Sequence, residues 1–177
     1  MIDSRLKKIK MMLLDVDGVL TGGEIIYSDS GEQFKVFNVK DGLGIRLLKE
    51  AGLKVGIITG RKGNALHHRC VNLGIDLVFD GVRRKDQALD SISATTGIGP
   101  QEIAFVGDDL PDLPVMRRVG LAVAVADAHE IVRQQAHIVT QACGGRGAIR
   151  EISETILKAQ GLWQDIISRL FDGEQNE

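Results

Sequence analysis

Met11-Met12-Leu13-Leu14-Asp15-Val16-Asp17-Gly18-Val19-Leu20-Thr21 is the stretch that decides how this chain folds. Four apolar residues run into two carboxylates one residue apart, and a glycine follows. The pattern reads as a buried strand that ends in a turn. Side chains alternate along a strand, so positions 15 and 17 leave from the same face. Two like charges that close repel each other, and burying either is costly unless something cationic stands nearby. A hard divalent ion such as Mg²⁺ prefers oxygen ligands and meets that need. Taken alone, Asp-x-Asp is also what a solvated acidic turn looks like, so the remaining sequence has to choose between the two.

Further strand-like runs follow the first one at 9–16. They lie at 55–58, 77–79, 103–106 and 121–125, and 138–139 begins a sixth. They are short and β-branched with little polar alternation, as expected of strands covered on both faces. Amphipathic helical patterns separate them at 43–51, 64–73, 86–95 and 113–119. Alternation of this kind predicts an α/β fold: a doubly wound, Rossmann-like, mostly parallel sheet. Residues 24–39 break the rhythm. Two alternating segments flank Asp29-Ser30-Gly31, which predicts a β-hairpin insertion. An isolated hairpin is marginal in water. The apolar face formed by Phe34, Val36 and the isoleucines therefore needs a partner, and a second copy of the chain is the expected one. The alternative is packing on its own domain. A helical tail is expected over 148–171, with one helix at 148–157 and another at 162–171. The polar residues from 172 onward are expected to fray.

The bulk composition narrows the function classes. The chain has 177 residues, 44% of them hydrophobic, a length and composition that suit one globular domain spanning 1–177. A net charge of −2 gives no global electrostatic case for nucleic acid or an anionic membrane. No apolar run approaches the roughly 20 residues that span a bilayer, and the N-terminus lacks a signal-peptide pattern. Cys70 and Cys143 form neither a disulfide framework nor a zinc pattern, so a cytoplasmic location is the expectation.

Ligands of open α/β sheets bind beyond the carboxyl ends of the strands. Four polar clusters fall there: Asp15/Asp17, Thr59-Gly60-Arg61, Lys85 with Arg83 and Arg84, and Asp108/Asp109 with Asp112. Each alone is weak, because Thr-Gly is a common turn and Gly-Asp-Asp a common loop. Together they bring carboxylates, a hydroxyl and a fixed cation to one sheet edge. Phosphoryl transfer needs that set: an attacking oxygen, a metal, and donors for the equatorial oxygens. Neither a Walker lysine loop nor GxGxxG is present.

In order and spacing, Asp-Val-Asp-Gly-Val-Leu-Thr, Ile-Thr-Gly-Arg, Lys85 and Gly-Asp-Asp-Leu-Pro-Asp resemble the four motifs of the haloacid dehalogenase superfamily of phosphatases. The short hairpin, standing where others carry a cap domain, resembles the capless branch. The stretches 106–110, 122–129 and 144–148 are similar to the 3-deoxy-D-manno-octulosonate 8-phosphate phosphatase subfamily, which also contains phosphatases for related nonulosonate 9-phosphates. The likeness covers roughly residues 8 to 161.

The resemblance implies Mg²⁺-dependent hydrolysis of a phosphorylated sugar acid in lipopolysaccharide precursor synthesis, by a homotetramer. It implies that Asp15 is the nucleophile and forms an aspartyl-phosphate. Asp17 would act as acid and then base, and its main-chain carbonyl would join Asp15 and Asp108 around the metal. Thr59 and Gly60 would contact the phosphoryl group, and Lys85 would neutralise charge. Asp109 would hold a metal-bound water or Lys85, while Asp112 would cap or brace the loop. Arg61 and Arg69 are candidates for the substrate carboxylate, since arginine suits planar bidentate recognition. They lie about two turns apart if both are helical. His67 and His68 read as solvated and His129 as structural. Gly144-Gly145-Arg146-Gly147 is expected to border the active site, with a subunit interface as one way for it to do so. Two other readings remain open: a phosphatase or mutase for another phosphometabolite, and a catalytically silent scaffold. Loss of Asp15 or Asp17 would mark the scaffold, and both are present.

Overall fold

The computed structural model describes residues 2–172. In chain order its elements are α1 (Ile2–Leu6), β1 (Met11–Leu14), β2 (Ile26–Tyr27), β3 (Gln33–Phe34), α2 (Val39–Glu50), β4 (Lys54–Ile58), α3 (Asn64–Leu73), β5 (Leu77–Phe79), α4 (Lys85–Thr96), β6 (Ile103–Gly107), α5 (Leu113–Met116), β7 (Leu121–Ala124), α6 (Glu130–Gln135), β8 (Ile138–Val139), α7 (Ala148–Ala159) and α8 (Trp163–Asp172). Six strands form one parallel sheet in the order β5-β4-β1-β6-β7-β8. β1 lies between β4 and β6, and its four residues are fully buried, which is why they are all apolar. Helices close over the sheet, with α2 packed along α7 and α4 against α5. None of the described helices is long and apolar enough to cross a membrane.

Strand order reverses at β1, where the chain leaves for β4 on one side and later returns to β6 on the other. Such a switch point opens a crevice at the carboxyl ends of the strands. The register places the crevice in sequence. Leu14 pairs with Ile57 on one side and Val106 on the other. Asp15 therefore leaves the sheet level with Ile58 of β4 and Gly107 of β6, one residue before Thr59 and Asp108.

Several boundaries differ from the sequence expectation. Val39 opens α2 instead of ending a strand, because the Asn38 side chain accepts from Lys40 N at 2.8 Å and caps the helix. The hairpin itself is short, pairing only Ile26 with Phe34 and Tyr27 with Gln33. Its Ile25, Ile26, Phe34 and Val36 side chains are 43–66% exposed, so its own chain covers them only in part. The opposite face turns inward, and a partly buried Phe37 packs against the core. α1 and α6 are short helices that the apolar pattern does not announce. In the tail, Ile166 of α8 is buried in the core of its own chain. The expected frayed end beyond residue 172 lies outside the described residues.

Candidate active site

The turn after β1 brings two distant loops into contact. Gly18 has φ +89°, and a Cβ there would sit 2.1 Å from Asp108 Oδ2, so only glycine fits. Gly144 presses on the same turn, where a Cβ would lie 1.7 Å from Gly18 O. Gly145 N donates to Val19 O at 2.8 Å and Gly144 N donates to Asp127 Oδ1 at 2.9 Å. The 144–147 segment thus braces the turn that carries the paired aspartates. A buried carboxylate holds this segment from behind: Asp41 of α2 accepts from the backbone N–H groups of Gly147, Ile149 and Arg150, at the start of α7. Negative charge there satisfies orphan donors and suits the helix dipole.

A cavity of about 440 Å³ opens at the switch point. Asp15, Asp17, Thr59, Gly60, Arg61, Lys85, Asp108 and Asp109 all line it, with Asp112 and Arg83 beside them. Lys85, at the start of α4, is its buried cation. Its Nζ lies 2.8 Å from Asp15 Oδ1 and 2.6 Å from Asp112 Oδ1. Burial works against the ammonium, but the two carboxylates outweigh it and raise the Lys85 pKa. Burial raises the Asp15 pKa, an effect that Lys85 partly offsets. Asp112 Oδ2 accepts from Asp108 N at 2.9 Å and Asp109 N at 3.3 Å, which fixes the loop after β6.

Asp108 is the anomaly. Burial first, then the neighbouring Asp112 and Asp15, push its pKa up to about 8. Its Oδ1 is buried with no hydrogen-bond partner. Oxygens of Asp15, Asp108 and Asp112 lie within 4.8 Å of one another. An all-oxygen donor set with one orphaned buried oxygen fits a hard divalent cation such as Mg²⁺. Both oxygens of Asp112 are already engaged, so Asp15 and Asp108 carry the open ligand positions.

Three expectations need correction. Arg69 does not line this cavity. It donates to Asn38 O at 3.1 Å and stands 5.6 Å from the centre of the Phe37 ring, pinning the root of the hairpin. The two-turn spacing from Arg61 fails because α3 begins only at Asn64, which leaves Arg61 in the preceding loop. Of the two roles expected for Asp109, the hold on Lys85 is corrected: its side chain makes no hydrogen bond or ion pair with Lys85. Its Oδ1 accepts from Leu110 N at 2.8 Å and caps the short 3-10 turn Leu110–Asp112, and Asp112 is what grips Lys85. Sequence reasoning also missed Lys35, whose Nζ ion-pairs with Asp17 Oδ1. The available signal was alternation: Lys35 sits between outward-facing Phe34 and Val36. His129 Nδ1 accepts from Ile131 N at 3.2 Å at the start of α6, and His67 and His68 are exposed on α3.

The haloacid dehalogenase-like hydrolase family matches residues 75–149. The 3-deoxy-D-manno-octulosonate 8-phosphate phosphatase KdsC of Escherichia coli K12 is 46% identical over 158 residues, 89% of this chain and 84% of that protein. The crystal structure of the phosphatase of that name from Yersinia pestis superposes with a TM-score of 0.90 at 44% identity, covering 92% of this chain and 88% of that one. The Moraxella catarrhalis phosphatase, crystallised in complex with magnesium ion, phosphate ion and KDO, gives a TM-score of 0.93 at 39% identity over 96% of this chain and 97% of its own. On sequence and fold together, the chain belongs to the 3-deoxy-D-manno-octulosonate 8-phosphate phosphatases, within the haloacid dehalogenase-like hydrolases.

Proposed function

We propose that this chain is a Mg²⁺-dependent phosphomonoesterase that hydrolyses 3-deoxy-D-manno-octulosonate 8-phosphate to the free sugar acid and phosphate, in the supply of lipopolysaccharide precursor. One observation carries the reading. A nucleophile-competent carboxylate, a buried lysine and an orphaned acidic oxygen meet at the switch point of the sheet. Kinship to phosphatases bearing that substrate's name supplies the substrate.

Asp15, Asp108 and the main-chain carbonyl of Asp17 would hold Mg²⁺. When bound, it screens the repulsion between Asp15 and the phosphoryl group and orients that group for in-line attack. A free oxygen of Asp15 forms the bond to phosphorus while the ester P–O bond breaks. The proton on Asp17 passes to the departing oxygen, which leaves as the sugar alcohol. Water then attacks phosphorus, gives its proton to Asp17, and releases phosphate from Asp15. Lys85, fixed between Asp15 and Asp112, lowers the cost of charge throughout. The Thr59 hydroxyl and the amide of Gly60 would donate to the phosphoryl oxygens. Arg61, half exposed at the mouth, would meet the substrate carboxylate.

Residues 1–177 are read as one domain whose hairpin face takes up other copies of the chain in a homotetramer, in the cytoplasm. The decisive assay is phosphate release from octulosonate 8-phosphate with Mg²⁺, against a panel that includes a nonulosonate 9-phosphate. Asp15→Asn should lower turnover by on the order of 10⁴-fold or more with the fold intact. Turnover by Asp15→Asn near the parent rate refutes the mechanism, and preference for the nonulosonate ester refutes the substrate.

A further inference from the structure

Two cations of different character hold the carboxylate of Asp17. Lys35 Nζ meets Oδ1, and the Lys35 side chain is only 3% exposed. Arg61 Nε stands 3.6 Å from Oδ2, and its side chain is 50% exposed. Lys35 comes from the hairpin and not from the sheet edge, and it lies outside the cavity lining. Phe34 and Val36 beside it face outward, so the lysine occupies the inner face of the insertion. A lysine that deep is retained only against an anion, and the anion here is the side chain assigned to proton transfer.

We propose that Lys35 is a positioning residue for phosphoryl transfer: its ammonium anchors Oδ1 of Asp17 and so turns Oδ2 toward the leaving oxygen of the substrate. This deepens the phosphatase reading above and rests on it. The argument is one of donors and acceptors. A lysine ammonium carries three donors and no acceptor. The oxygen it binds must accept in either protonation state, so the transferable proton rides on the other oxygen. The terminal torsion of an aspartate is broad and roughly two-fold. Without an anchor, either oxygen, at a range of angles, would face the cavity. Proton transfer needs a heavy-atom separation of about 2.6–3.2 Å, and fixing one rotation removes that search. The Arg61 contact is long and exposed, so arginine is free to turn to the substrate carboxylate. Lys35 is a permanent tether and Arg61 an exchangeable partner.

The test uses the full chain with Mg²⁺ and two leaving groups. kcat/KM covers the steps up to departure of the alcohol. The sugar-acid ester leaves as an alkoxide that needs a proton, whereas p-nitrophenyl phosphate leaves as a phenolate that does not. Lys35→Met keeps the length and apolar stem and removes the donors. It should lower kcat/KM for the alkyl ester by about 10–100-fold while changing that for the aryl ester by less than about 3-fold. Lys35→Arg, which keeps a cationic donor, should recover most of the alkyl rate, and the retained aryl rate confirms folding. Equal losses on both esters, or no loss on either, overturn the proposal. If the parent enzyme cleaves a different alkyl phosphate and leaves the octulosonate ester intact, the substrate assignment fails. The Lys35 comparison then runs on that alkyl ester and is decided separately.

Discussion

The sheet edge and the hairpin solve opposite problems. At the carboxyl ends of β1 and β6, the charges of Asp15, Lys85 and Asp112 are buried and partnered: Lys85 lies between Asp15 and Asp112, and Asp112 accepts from two backbone amides. In the hairpin, apolar surface is exposed, with Tyr27, Phe34 and Val36 all about half open or more. The edge is built on strands with fixed register, so its groups hold their geometry without help from a ligand. The hairpin has two residues per strand and borrows its order from what it touches. Chemistry that tolerates little misplacement sits on the rigid part. The adaptable part supplies one inward lysine and an outward face.

The sharpest way to break the edge is to remove its cation. Lys85→Met leaves two buried carboxylates facing each other without a partner. The loss should be about 3–5 kcal/mol of stability together with a fall of about 10²–10³ in kcat, read by urea denaturation and by turnover. Adding Asp112→Asn to Lys85→Met should return part of the stability, because one of the stranded charges is gone; strictly additive effects would mean the two side chains do not interact.

Asp108 sharpens the same comparison from the other side, as the one edge group left unsatisfied. Its carboxyl is pushed up to about 8 in the folded chain, far above the ordinary carboxylate range. A group raised in this way gives stability at low pH that is lost as pH climbs through the folded value. Metal-free protein should therefore lose stability between about pH 4 and pH 8. Asp108→Asn removes that dependence and should stabilise the metal-free chain at pH 8 by about 1 kcal/mol, while abolishing both Mg²⁺-dependent turnover and the Mg²⁺-induced rise in Tm. Thermal melts in chelator and in Mg²⁺ at two pH values decide it. A variant less stable than its parent in chelator at pH 8 would contradict the electrostatic account.

Most of the edge was legible because strand ends are written in sequence. An apolar run followed by Asp, Thr-Gly or Gly-Asp-Asp places a polar group where the sheet stops, and parallel topology does the rest. What stayed hidden depends on partners far along the chain. Asp41 looks like an ordinary residue in the first turn of a helix until α7 arrives to be capped. Arg69 has the residue type of a ligand, yet Phe37 and the carbonyl of Asn38 claim it. Asn38 carried its own signal, since Asn three residues before Asp41 is a helix-start pattern, but the alternation through Val39 concealed it. Lys35 was readable as inward-facing, though nothing local says that it meets Asp17.

The smallest expected effect lies on the hairpin's outer face. Phe34→Ser with Val36→Ser replaces exposed apolar side chains, so the chain's own stability should change by no more than about 0.5 kcal/mol. The proposed association of copies through this face predicts a far larger effect: sedimentation velocity should find smaller species for the variant than for the parent. A double variant that sediments like its parent rules this face out as the contact between copies. Lys35 occupies the opposite face of the same segment, so under the proposed association its loss would reach Asp17 by loosening the segment that carries the tether. The outer-face variant should therefore show the same preference for aryl over alkyl esters as Lys35→Met, in weaker form. Adding it to Lys35→Met should cost nothing further in alkyl turnover, because the link through which assembly acts is already cut.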